Sequence, residues 1–195
     1  MNRSFTIATG CLLAAVLVMG AYLFSLRRNE QSRVQSLPDR RPIPAPVTGP
    51  PSRVTLYLAY DDPGVVRAET VSIALPPDPG ERGREILRAL VGEYVKRPSA
   101  HELPATADVK DVFLVGTDTA VVDTTESFAE GHPSGVFVET LTLASLVKTL
   151  TANLPGVTRV KILVDGKERE TLAGHADLEC FYDAVTVEQL LEQLR

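Results

Sequence analysis

The residues best suited to chemistry lie near the C-terminal end, in the segment Gly174-His175-Ala176-Asp177. His175 and Asp177 are two residues apart, so on a strand an imidazole and a carboxylate would share one face and could bind a metal ion or share a proton. A metal site needs three or four ligands, however, and His101 and His132 lie in separate segments without ligand spacing. We favour the simpler interpretation, in which both side chains bond the backbone of a turn.

Nucleophilic catalysis has weaker support. A serine nucleophile needs a base beside it and a strand–turn–helix context, which Ser134 in His132-Pro133-Ser134-Gly135 lacks. No glycine-rich phosphate loop follows a predicted strand. The sequence therefore predicts a protein that is not an enzyme, with no catalytic residue, cofactor or metal site. A metal-dependent hydrolase or metal binder centred on His175 and Asp177 is the alternative.

The element predicted most clearly is a helix that starts near Val136 and ends at Asn153-Leu154-Pro155-Gly156, because proline disfavours helical backbone at the residue before it. Apolar residues recur in it at helical spacing: Phe137, Leu141, Leu143, Ala144, Leu146, Val147 and Leu150. The opposite flank carries small side chains at the same spacing: Thr142, Ser145, Thr149 and Ala152. Small side chains let another backbone approach, so this flank is the candidate interaction surface, although exposure to water is the simpler expectation.

A strand follows the helix, because Val160, Ile162 and Val164 alternate with other residues. Asp165-Gly166 suits a type I′ hairpin turn, and the segment 167–172 is predicted to return as the second arm of the hairpin.

The remaining patterns complete the predicted fold. Strands are expected at 54–60, 71–75, 109–115 and 120–123, a helix capped by Asp78 is expected to end at Arg97-Pro98, and residues 127–135 are expected to be irregular. Residues 184–195 are predicted to form a short amphipathic helix with Thr186 and Gln189 as its capping box. This order predicts an α+β domain in which two helices pack on one face of a mixed sheet.

The N-terminal part predicts attachment to a membrane. Residues 5–26 contain no charged side chain and are long enough for a transmembrane helix; the run exceeds the roughly 7–15 apolar residues of a cleaved signal peptide. Residues 1–4 form a short tail before it. Residues 27–53 are rich in proline and are expected to act as a semi-rigid spacer. The arginines on both sides leave the orientation of the span open.

Charge is divided unevenly along the 195 residues. Residues 1–53 hold seven Arg and two acidic residues, whereas residues 54–195 hold 13 basic and 23 acidic residues. An acidic folded part argues against nucleic acid as a partner. The chain has no Trp and few aromatic residues to stack on sugars, and no small-molecule substrate is identifiable.

Four segments together resemble the GerMN domain of sporulation and spore germination: LYLAYDDPGVVRAET (56–70), ILRALVGEYVKRP (86–98), VVDTTESF (121–128) and ETLTLASLVKTLTANLPGVTRVKILVDGKERETLAGHADL (139–178). The last is the most specific, with Pro-Gly-Val after the helix, a strand ending in Val-Asp-Gly, and Thr-Leu-x-Gly-His-x-Asp-Leu. The resemblance covers residues 54–183.

The resemblance implies a fold similar to the ring-building motifs of secretion-system and sporulation channel proteins. It also implies a single-pass protein of the bacterial cytoplasmic membrane with its N-terminus inside and residues 54–183 on the extracytoplasmic side. Envelope proteins or further copies of the chain are the implied partners. The sporulation protein of this name carries two such domains in tandem, whereas this chain has one, so ring assembly is not carried over.

Overall fold

The computed structural model describes residues 49–193. The predicted tail 1–4, the predicted anchor 5–26 and nearly all of the predicted spacer lie outside these residues. Within residues 49–193, no helix combines the length and the apolar character that crossing a membrane requires.

The described residues form five strands and four helices: β1 Pro51–Tyr60, β2 Val65–Ala74, α1 Pro79–Val95, β3 Val109–Val115, β4 Thr119–Thr124, α2 Glu126–Glu130, α3 Val136–Asn153, β5 Arg159–Val164 and α4 Ala184–Gln193. The predicted α+β class is confirmed, and so are the principal helices and the short C-terminal helix. Helix α2 lies in the segment that the sequence predicted to be irregular.

Two sheets, and not one, make up the β structure of the described residues. Strands β1 and β2 form an antiparallel pair, while β4 is the middle strand of a second sheet, antiparallel to β3 and parallel to β5. The prediction of two helices on one face of a single mixed sheet is therefore wrong. Helix α1 packs mainly on β3, α3 packs on both β1 and α4, and α1 and α3 also contact each other.

Helix α3 is the centre of the core. Every residue from Glu139 to Val147 is buried, and so are Thr149 and Leu150. The buried polar side chains of α3 between Glu139 and Thr149 do not reach solvent, so they must find partners inside the protein. They do, because no buried side-chain nitrogen or oxygen among the described residues lacks a hydrogen-bond partner.

The turn after β5 is confirmed, but the hairpin arm is not. Asp165 and Gly166 have φ of 51° and 71°, as a type I′ turn requires at both positions. Within the segment 167–172, only Lys167 pairs with β5, through backbone hydrogen bonds to Val164. The outer edge of β5 is instead paired with Tyr182, whose N–H and C=O both bond Val160, so the segment 167–172 is not a strand.

Side-chain caps fix where two of the helices start. Asp78 caps α1 as predicted, since its Oδ2 accepts from the N–H of Glu81 at 2.9 Å. Helix α4 is capped one turn earlier than predicted, because Asp183 Oδ1 accepts from the N–H of Thr186 at 2.7 Å. Thr186 therefore lies inside α4 and is not its cap.

Candidate functional site

The polar groups of the core lie along one side of α3. We call this set the polar stripe, and its members are Glu139, Thr142, Ser145, Thr149 and Asn153. Spacings of three and four residues place them one above another on a helix. Glu139 bonds the loop 173–176, Thr142 bonds two histidines, and the other three members bond β1, so the stripe connects α3 to several segments of the chain.

Glu139 lies at the start of the stripe and is fully buried. Its Oε1 accepts from the N–H of Gly135 at 3.0 Å and contacts His175 Nδ1 at 2.9 Å. Its Oε2 accepts from the N–H groups of Ala173, His175 and Ala176 at 3.0, 3.0 and 2.8 Å. Five donors around two oxygens make a carboxylate cage, which fastens the loop 173–176 to α3.

The donors decide the protonation state of Glu139. Burial opposes its ionisation, but hydrogen bonds from Ala176, Gly135, the His175 side chain and Ala173 outweigh burial and lower its pKa from 4.5 to about 2. The carboxyl group is therefore ionised at neutral pH and accepts at every contact. It is not poised to act as a general acid.

Acid should loosen this cage. Because the folded pKa lies below the unfolded one, the stabilisation is present above pH 4.5 and is lost as the pH falls toward about 2. A shift of this size corresponds to about 3 kcal/mol of unfolding free energy. Urea unfolding followed by circular dichroism at several pH values measures it. A flat unfolding free energy between pH 4.5 and 2 would contradict the cage.

Thr142 joins two loops through buried histidines. Its Oγ1 lies 2.7 Å from His101 Nε2 and 2.6 Å from His132 Nε2. The far nitrogens are also bonded: His101 Nδ1 lies 2.6 Å from Asp61 Oδ1, and His132 Nδ1 lies 2.7 Å from the carbonyl of Pro133. We call this chain of contacts the histidine cluster.

Thr142 can serve both rings of the histidine cluster, because a hydroxyl donates one hydrogen and can also accept. Burial lowers the pKa of His132, which favours the neutral ring. That ring donates from Nδ1 to the carbonyl of Pro133 and accepts the Thr142 hydrogen at Nε2. His101 Nε2 is then the donor to Thr142, and His101 Nδ1 faces Asp61. The Thr142 hydroxyl also lies 3.1 Å from the carbonyl oxygen of Val138.

The rest of the stripe closes the outer edge of β1. Asn153 Oδ1 accepts from the N–H of Thr55 at 2.9 Å, and Asn153 Nδ2 donates to the carbonyl of Thr55 at 2.7 Å. Thr149 Oγ1 accepts from the N–H of Tyr57 at 2.9 Å, and Ser145 Oγ donates to the carbonyl of Tyr57 at 2.5 Å. These side chains satisfy backbone groups that a neighbouring strand would otherwise pair.

Tyr94 of α1 completes this closure. Its hydroxyl accepts from the N–H of Ala59 at 2.8 Å and contacts Ser145 Oγ. Its ring also meets that of His101 edge to face, with centroids 4.7 Å apart. Tyr94 therefore links the β1 edge to the histidine cluster.

The structure corrects the predicted interaction flank. Thr142, Ser145 and Thr149 are fully buried and bonded to the chain's own residues, so they meet neither water nor another protein. Ser145 and Thr149 admit the backbone of β1, and Thr142 admits the rings of His101 and His132. Only Ala152 is exposed, in a groove that Val157 and Val185 also line.

The structure does not join His175 and Asp177 in one site. His175 bonds Glu139, while Asp177 Oδ1 accepts from the N–H of Glu179 at 2.6 Å and its Oδ2 lies 3.0 Å from Cys180 Sγ. The turn interpretation is thus confirmed for Asp177. Within residues 49–193, no three His, Cys, Asp or Glu side chains are grouped to hold a metal ion.

Ser134, His175 and Glu139 are close together but do not form a catalytic triad. Ser134 Oγ lies 3.4 Å from His175 Nδ1, the same nitrogen that contacts Glu139 at 2.9 Å. A triad needs the serine and the acid on opposite ring nitrogens, so that one orients the base while the other gives it a proton. Ser134 donates to the carbonyl of Ala173 instead, at 3.0 Å.

Two of the most connected residues of the site, Glu139 and His101, are not predicted by sequence patterns. Glu139 lies within the segment that resembles the family, and His101 lies in a segment without helical or strand periodicity. The available signal was an acidic side chain in the first turn of an otherwise apolar helix. Its five donors lie at Gly135 and in the loop 173–176, and no periodicity places that loop on α3.

Comparisons with known proteins identify the family and the fold of the chain. A family model described as Germane, sporulation and spore germination, matches residues 55–170, which is more than half of the chain. The chain belongs to the Germane family. The match includes the polar stripe and ends before the loop 173–176 that Glu139 binds.

Two solved structures share the Germane fold. The tandem GerMN domains of the sporulation protein GerM from Bacillus subtilis match with a TM-score of 0.52 and 22% identity, over 66% of this chain and 44% of that chain. The first GerMN domain alone matches with a TM-score of 0.51 and 22% identity, over 65% of this chain and 92% of that chain. The chain thus spans less than half of the tandem-domain protein. No curated protein sequence matched it.

Proposed function

We propose that this Germane-family chain is a non-enzymatic interaction module of the bacterial envelope. Residues 5–26 tether it to the cytoplasmic membrane in a single pass with the N-terminus inside, and the Pro-rich spacer 27–53 carries the folded part on the extracytoplasmic side. The uncharged run supports the membrane span and the proline content supports the spacer, while the orientation is what the family resemblance implies. A sporulation-type protein assembly is the setting that the family suggests.

The core chemistry supports a role without catalysis. Glu139 is held ionised by five donors, and the histidine cluster bonds both of its rings at both nitrogens. A general base needs a free nitrogen or oxygen within reach of a substrate. The Glu139 carboxylate and the two histidine rings are instead hydrogen-bonded to the chain's own loops.

The open edge of β2 is the observation that carries the proposal. Among the described residues, β2 pairs only with β1, over ten residues on each strand. Its central residues 67–70 are exposed. An exposed strand edge presents unpaired N–H and C=O groups, to which another protein can add a strand.

Crosslinking in intact cells tests the interaction role. A photoreactive residue at Ala68, in the middle of β2, should give discrete crosslinked envelope products. Glu130 is the matched control position, because it is exposed and lies outside β2. Products at Ala68 no more abundant than those at Glu130 would contradict the proposal, as would protection of the folded part from protease in spheroplasts.

A further inference from the structure

We propose that β2 pairs with β2 of a second copy of this chain, antiparallel, with Ala68 on the two-fold axis. This inference rests on the interaction role proposed above and names the partner. It follows from three features of the β1–β2 sheet: which backbone groups face the open edge, where the charges lie, and what closes the opposite edge.

The β1 contacts determine which groups of β2 face outward. Thr55 and Tyr57 direct their N–H and C=O groups at α3, so Leu56 and Leu58 direct theirs at β2. Opposite these lie Glu69 and Arg67 in the antiparallel register. Hydrogen-bonding direction alternates along a strand, so the outward groups belong to the even-numbered residues: Val66, Ala68, Thr70 and Ser72.

Only registers that pair even residues with even residues can bond two such edges. With Ala68 on the two-fold axis, Val66 faces Thr70 of the second copy. The same register places Arg67 opposite Glu69 of the second copy, twice. A two-fold axis at Val66 would place Arg67 opposite Val65, and an axis at Thr70 would place Glu69 opposite Val71.

The charges are already arranged for this register. Arg67 and Glu69 take non-hydrogen-bonded positions at the new interface, where facing side chains approach most closely, with Cβ atoms about 5 Å apart. Tyr60 contacts the Arg67 and Glu69 side chains on one face of the sheet. The Arg67 guanidinium carbon lies 5.0 Å from the centre of the Tyr60 ring, and the Tyr60 hydroxyl donates to Glu69 Oε1 at 2.8 Å. Neither charge has an ion-pair partner within residues 49–193.

The closed edge of β1 limits the assembly to two copies. Pairing two β2 strands gives a continuous four-stranded antiparallel sheet with β1 at each end. The outer edge of each β1 is bonded to Ser145, Thr149 and Asn153 of its own α3 and accepts no further strand. The contact is therefore isologous and closed, whereas a sheet with two open edges would grow into a filament.

Cysteine crosslinking of the full-length chain tests the register. In a background with Cys11→Ser and Cys180→Ser, Ala68→Cys should form a disulfide dimer under mild oxidation. Facing Cα atoms of a hydrogen-bonded pair lie about 5.5 Å apart, within the range of a disulfide. Thr70→Cys is the matched control, because the two Thr70 residues would lie about 13 Å apart along the strands.

Charge exchange tests the specificity of the pairing. Arg67→Glu and Glu69→Arg should each slow disulfide formation at position 68 about tenfold, because like charges then face each other. The double variant restores opposite charges and should crosslink at nearly the original rate. Circular dichroism of each variant checks that the fold is kept.

The outcomes separate this inference from the function on which it rests. Equal disulfide yields at positions 68 and 70, or equal rates in all charge variants, would overturn self-pairing. If photocrosslinks from Ala68 reach only other envelope proteins, self-pairing is overturned while the interaction role stands. If Ala68 gives no crosslink at all, both are overturned.

Discussion

Replacing Glu139 with Gln should lower the free energy of unfolding by about 3 kcal/mol, because several buried donors lose the charged carboxylate that accepts their hydrogen bonds. The amide has one acceptor oxygen, so its NH2 group would face N–H donors of the loop 173–176 or of Gly135. Urea unfolding of the full-length chain measures the change. Circular dichroism is the suitable probe because the chain has no Trp.

Glu130→Gln is the control for this change, because Glu130 is exposed and should tolerate the same exchange with an effect below about 0.5 kcal/mol. The Glu139→Gln variant should also lose the part of the decline in stability between pH 4.5 and about 2 that Glu139 causes, whereas Asp177 and Asp183, whose pKa values are also lowered, titrate as in the parent. A variant as stable as the parent at neutral pH would show that the cage does not hold the loop.

Replacing Thr142 with Val should cost about 3 kcal/mol of unfolding free energy, because two buried imidazole nitrogens lose their common partner. Valine keeps the shape of threonine, so the change removes the hydroxyl and leaves no cavity. His101 and His132 would then face an apolar group at Nε2. Urea unfolding at neutral pH measures the loss.

Thr140→Val is the matched control for the hydroxyl. Thr140 is also buried in α3, but its hydroxyl donates only to the carbonyl of Val136 in its own helix, at 2.7 Å. Its loss should cost less than about 1 kcal/mol. Thr142→Ser retains the hydroxyl and should recover most of the stability that Thr142→Val loses. Equal costs for the two valine variants would mean that the histidine cluster does not stabilise the fold.

The local elements of this domain could be read from the sequence. The helix ending at Pro155-Gly156, the alternation of β5 and the turn at Asp165-Gly166 each follow from backbone preferences of neighbouring residues. The division into two sheets could not be read in the same way. It depends on α3 side chains taking the place of a strand beside β1, and strand patterns do not record what lies at an edge.

The candidate site was harder to predict than the fold. The small side chains of Ser145 and Thr149 indicated that a backbone could approach α3, but the sequence could not show that this backbone is the chain's own. The carboxylate cage of Glu139 depends on N–H groups of a loop 34 to 37 residues away. Such contacts follow from tertiary packing, on which local patterns carry no information.

The closure of β1 by α3 also has a consequence for biosynthesis. The bonds from β1 to α3 join residues 88 to 98 positions apart, so the β1–β2 hairpin leaves the ribosome long before its partners exist. During that interval the hairpin exposes both of its edges, the condition under which nascent chains aggregate. Completion of α3 ends this vulnerability on the β1 side, whereas the outer edge of β2 stays open.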